Sequence, residues 1–120
     1  MTAPMTPIIL FGGPSDERHV SVASAQNIAR SLPEALLWFW APGGAVHDVS
    51  AQEVLAHRFE GDYVPSRPAI WPDIEQALDT LPVDDPHFIL AVDDEMLRPA
   101  LEARSLPFTM ARSMDAARGR

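Results

Sequence analysis

The stretch that decides the fold is "IILFGGPSDERHVSVASAQNIARSL", Ile8 to Leu32. Pro7 to Phe11 is a β-branched and aromatic run bounded by Pro before and Gly-Gly after. It reads as a short strand buried on both faces. A charged turn leads from it into His19 to Leu32, which reads as a helix ended by Pro33. The small residues Ala23, Ala25 and Ala29 let that helix lie close on a sheet. A strand, a tight turn and a close-packed helix make the first half of a βαβ unit.

The same alternation continues downstream. "ALLWFW", Ala35 to Trp40, is a second buried strand stopped by "PGG". Ser50 with Glu53 three residues on has the form of a capping box, opening a short helix to about His57. "RFEGDYVPSRPAIWP" is rich in Pro and Gly and reads as a surface excursion with room for one short strand. Asp73 to Leu81 carries Ile74, Ala77, Leu78 and Leu81 on one helical face. "HFILAV", His87 to Val92, is the third strong strand, and Glu95 to Arg104 is helical with Pro99 near its first turn. "LPFT" suggests a fourth strand before an Arg-rich tail.

Strands alternating with helices predict an α/β, Rossmann-like three-layer domain with about four mostly parallel strands, one domain over residues 1–120. Burial is expected at Ile8, Ile9, Leu10, Leu36, Leu37, Phe88, Ile89 and Leu90, because parallel strands covered on both faces are continuously apolar.

Composition narrows the chemistry. The 120 residues carry a formal charge of -8, and every basic residue is Arg. That balance argues against nucleic-acid binding, which rests on clustered cations, and against a polybasic membrane anchor. Without Lys there is no Walker-type phosphate loop and no Schiff-base catalysis. Without Cys there is no thiol catalysis, disulfide or thiolate metal site. "MTAPMTPIILF" has neither a basic leader nor a long apolar run, so a cytoplasmic location with no membrane span is expected. His47, His57 and His87 are scattered without ligand spacing, and no metal site is expected.

Parallel sheets bind ligands beyond the carboxyl ends of their strands, so the turn from Gly12 to His19 is the place to look for function. "GGPSDER" lacks the third glycine of a dinucleotide fingerprint, and Asp16 and Glu17 stand where a phosphate would sit. The turn suits an ammonium group better. Glu17 can pair with an amine, while Ser15, Ser21 and free backbone N–H groups can take a carboxylate. A second reading also stands: the acids only cap the helix, and the glycines only close the turn.

"FGGPSDERHVSVASAQN" resembles the N-terminal signature of the D-alanine–D-alanine ligases, in which a strand and a Gly-Gly turn lead into Ser, Glu-Arg and Val-Ser. "PHFILA", "LEARSLPFT" and "ARSMDAARGR" are similar, more weakly, to that family's third strand, its next helix and strand, and the lead into its central domain. The resemblance implies a pre-ATP-grasp domain. It implies that Glu17, with Val20 and Ser21 alongside, holds the amino group of D-alanine or a similar small amino acid. The implied whole-enzyme reaction is ATP- and magnesium-dependent D-Ala-D-Ala formation for peptidoglycan.

The sequence departs from the pattern in two places. "LAVDDEMLRPALE" has neither the His-Gly turn nor the Gly-Glu-Asp-Gly loop expected after the third strand. "MARSMDAARGR" lacks the Gly-Ser-Gly turn, and Ala116 stands where an ATP-contacting Lys would be. The ATP-grasp domains do not follow, so a truncated, substrate-side domain without its own ATP or magnesium site is expected. Its implied partners are a small amino acid and, alternatively, a separate ATP-grasp chain with which it docks as a non-catalytic subunit, or a second copy of itself.

Overall fold

The computed structural model describes residues 5–14, 18–58, 63–92 and 94–111, with the side chains of residues 18 and 19 left aside. The chain runs β1 (Thr6–Gly12), α1 (Arg18–Ser31), β2 (Leu36–Trp40), β3 (Val46–Val49), α2 (Ala51–Ala56), α3 (Ile74–Asp79), β4 (Pro86–Leu90), α4 (Leu97–Ala103) and β5 (Phe108–Met110). The sheet order is β3-β2-β1-β4-β5. β1 pairs in parallel with β2 and β4, and β4 with β5. β3 alone is antiparallel, against β2.

The residues of β1 alternate between two cores. Ile8 and Leu10 join Trp38, Phe88, Ile74, Leu78, Leu97 and Leu101 on the α3–α4 face. Ile9 and Phe11 join Leu37, Phe39, Ile89, Val22, Ala25, Ile28 and Val54 on the α1–α2 face. This is the expected three-layer α/β arrangement, and the small residues of α1 do bring it onto the sheet: Ala25 and Ala29 are buried there. Of the residues expected in the core, Leu36 is the exception, half-buried at the first position of β2.

The expected count of about four strands is corrected to five among the described residues. "PGG" does not merely stop β2. It turns the chain back on itself, with Gly44 at φ +108° and Ala41 N–H donating to the Ala45 carbonyl at 2.8 Å. β3 then pairs Val46 with Trp40 and Val49 with Leu37. The excursion after α2 adds no further strand among the described residues, only an isolated bridge from Trp71 to Val46.

Helix ends follow local chemistry. Ser50 Oγ accepts from Glu53 N–H, and Asp73 Oδ1 accepts from Gln76 N–H, each capping a helix start. α3 is accordingly shorter than expected, with Asp73 as its cap. Pro99 lies in the first turn of α4, where its missing N–H costs no helical bond. Arg104, at the end of α4, donates to Asp79 Oδ1 at 2.7 Å and ties the α3 and α4 ends together.

Candidate functional site

β2 lies on one side of β1 and β4 on the other, so the chain reverses direction across the sheet between β1 and β4. Ligand crevices of open α/β sheets form at such a reversal, beyond the carboxyl ends of the strands. Here those ends are Gly12, Trp40 and Leu90.

Gly12 and Gly13 have φ of +101° and +91°, a region that L side chains rarely adopt. Crowding adds a second requirement. A Cβ on Gly12 would lie 2.6 Å from the Trp40 carbonyl oxygen, and one on Gly13 would lie 2.7 Å from Val92 Cγ2. Gly13 N–H donates to that same Trp40 oxygen at 2.7 Å. The glycines thus serve the packing of three strand ends, which agrees with the turn-closing reading of these two residues.

Ser21, in the first turn and a half of α1, is almost fully buried. Its Oγ accepts from Gly12 N–H at 2.8 Å and donates to the Ala91 carbonyl at 2.5 Å. One hydroxyl therefore joins α1 to the ends of both β1 and β4. Val20, its neighbour, is 56% exposed at the start of the helix. Glu17, with Ser15 and Asp16, lies outside the described residues. The structure brings Ser21 to the ends of β1 and β4 and leaves Val20 exposed at the same helix end. Sequence reasoning did not find Ala91 and Val92, the residues that meet Ser21 and Gly13 from the β4 side. Nothing in "AVDD" distinguishes them, because one acts through its backbone oxygen and the other through a single methyl.

Among the described residues, two surface hollows are lined by other side chains. One, of 440 Å³, lies between α1 and the end of α2 and is lined by Gln26, Arg30 and His57 among others. The other, a broad hollow of 770 Å³, is lined by Asp94, Glu95, Arg98, Pro99 and Glu102.

In a search of solved structures, the D-alanine–D-alanine ligase of Helicobacter pylori superimposes on this chain with a TM-score of 0.60. The two share a fold. The match covers 88% of this chain and 36% of the ligase, at 19% sequence identity. This chain therefore spans about a third of that ligase's length. No protein-family model matches the sequence, and no curated protein does.

Among the described residues no group of three His, Asp or Glu is placed to hold a metal ion, and the sequence contains no Lys. No helix among the described residues is long and apolar enough to cross a membrane.

Proposed function

We propose that this domain forms the substrate-side wall of a ligase-type site, holding the ammonium group of D-alanine or a similar small amino acid. The observation that carries the reading is the Gly-Gly turn opening at the β1–β4 reversal, with Ser21 of α1 tied to both strand ends. Glu17, four residues before Ser21, supplies the carboxylate for the amine. Val20 supplies an apolar contact beside it. Ser21 fixes the helix start over the crevice. In this reading, ATP and magnesium are held elsewhere than on this domain, and the product serves peptidoglycan synthesis in the cytoplasm.

Calorimetric titration of D-alanine tests the proposal. A charge-assisted hydrogen bond contributes about 1.5–3 kcal/mol, so Glu17→Gln weakens binding about tenfold or more and leaves the fold intact. Equal affinity in the wild type and Glu17→Gln removes Glu17 from the site. L-alanine, titrated in parallel, reports stereochemistry.

A second reading has its own support. Val20 and Met96, both large apolar residues, are 56% and 43% exposed. A non-catalytic subunit that docks with a separate ATP-grasp chain would use such a surface. Co-purification with that chain, with D-alanine-dependent ATP turnover only in the mixture, distinguishes it.

A further inference from the structure

The β1–β4 ladder ends one rung early, and a side chain takes the place of the rung. Leu10 is in register with Leu90, and Ala91 N–H donates to the Leu10 carbonyl at 2.9 Å. In a parallel pair the next bond along the ladder runs from the N–H two residues on, that of Gly12, to the carbonyl of Ala91. Those two groups do not meet. Ser21 Oγ stands between them, accepting from Gly12 N–H at 2.8 Å and donating to the Ala91 carbonyl at 2.5 Å. Both backbone groups keep a partner, as buried polar groups require, while the strands stand apart by the width of one hydroxyl.

We infer that Ser21 is a positioning residue, a wedge that holds the sheet open at the β1–β4 reversal and fixes the start of α1 across the opening. The inference deepens the proposed function and rests on it for the ligand, while the wedge itself rests on the register and the two hydrogen bonds. A serine suits the task because its hydroxyl offers one donor and two acceptor sites on a single short arm. Alanine would leave Gly12 N–H and the Ala91 carbonyl facing each other across a gap. The buried Gly12 N–H and the half-buried Ala91 carbonyl, both left without a partner, then draw the strands together into a direct bond. The strand ends close together, and the start of α1 at Val20 loses the tie that sets its distance from β4.

Scalar coupling across hydrogen bonds reads this directly. In labelled wild-type protein, Gly12 ¹⁵N shows no coupling to the Ala91 carbonyl carbon. The Ser21 hydroxyl proton, held between two backbone groups, exchanges slowly enough to be observed. Ser21→Ala is expected to gain a Gly12–Ala91 coupling, and Ser21→Thr, which keeps the hydroxyl, is expected not to. A Ser21 hydroxyl that exchanges freely with water overturns the wedge in the wild type alone, whether or not Ser21→Ala folds. A folded Ser21→Ala without the new coupling overturns it as well.

D-alanine titration supplies the functional arm. Ser21→Ala should bind about tenfold or more weakly with Glu17 intact, and Ser21→Thr should recover most of the loss. Undiminished binding by a strand-closed Ser21→Ala overturns the positioning role. A wild type that binds no D-alanine overturns the proposed function instead, and the coupling still decides the wedge.

Discussion

Ser105 has a φ of 55°, and it is the only non-glycine residue with positive φ among the described residues. It follows the last turn of α4, where its N–H donates to the Glu102 carbonyl and Leu106 N–H donates to that of Leu101. This is the left-handed closing position of a helix, which glycine occupies without steric cost. Ser105 is exposed, so its side chain makes little packing contribution. Ser105→Gly should therefore raise stability by about 0.5 kcal/mol, the backbone strain relieved being partly offset by the greater freedom of glycine when unfolded. Urea denaturation with an unchanged slope checks it. The glycines of the turn predict the opposite sign. Gly12→Ala meets a backbone oxygen that cannot move without breaking the β2 edge, whereas Gly13→Ala meets one methyl of Val92. Both are destabilising, Gly12→Ala by about 3 kcal/mol and Gly13→Ala by less. Equal losses would mean that strain at positive φ dominates and crowding does not. The need for glycine was legible in "FGG", but its cause was not, since Trp40 and Val92 are distant in sequence.

The strands legible as elements were those with uninterrupted apolar runs, because burial on both faces leaves no polar position to confuse the reading. β3 escaped notice for the converse reason. "VHDV" is four residues long, with only Val46 and Val49 buried, and it lies at the sheet's edge against β2 alone. The capping-box reading placed α2 correctly but assigned Glu53 too local a task. Its carboxylate accepts from Ser66 N–H at 3.0 Å and from the Tyr63 hydroxyl, tethering the excursion after α2. Tyr63 in turn packs on Phe11 and Phe39. Burial pushes the Glu53 carboxyl up, but hydrogen bonds from Ser66 and Tyr63 and the Arg67 charge outweigh it and leave it below its ordinary value. Burial, and then the Glu53 carboxylate, push the Tyr63 hydroxyl far up, so it remains a donor. A carboxyl lowered on folding contributes stability above its unfolded pKa, about 4.3, and that contribution is lost as pH falls through the folded value. The Ser66 amide resonance should therefore titrate with Glu53 below about pH 4.3, and Tyr63→Phe should shift that midpoint upward. The same variant should cost about 1 kcal/mol at neutral pH. A Ser66 resonance indifferent to acid would mean that the tether does not form in solution.

Across the whole molecule, the layered architecture followed from periodicity, while the site was legible only where residue type dictates geometry. Gly-Gly marked the turn and Ser21 the helix start, but the sheet order that brings Ala91 to Ser21 comes from the distant pairing of Leu10 with Leu90. That architecture leads to a prediction about activity. Phosphoryl transfer needs its reacting groups positioned and its developing charge neutralised. This chain carries a formal charge of -8 without Lys. Its described carboxylates and histidines gather into no group of three that could hold a metal ion. The purified chain, given ATP, magnesium and D-alanine, is therefore expected to release no phosphate above background and to form no dipeptide, even while it binds D-alanine weakly. The informative comparison is Glu17→Gln measured in both assays. Binding that falls with no turnover in either protein fits a wall without an engine, whereas ATP turnover that survives repurification and falls in Glu17→Gln would place a nucleotide site on this chain.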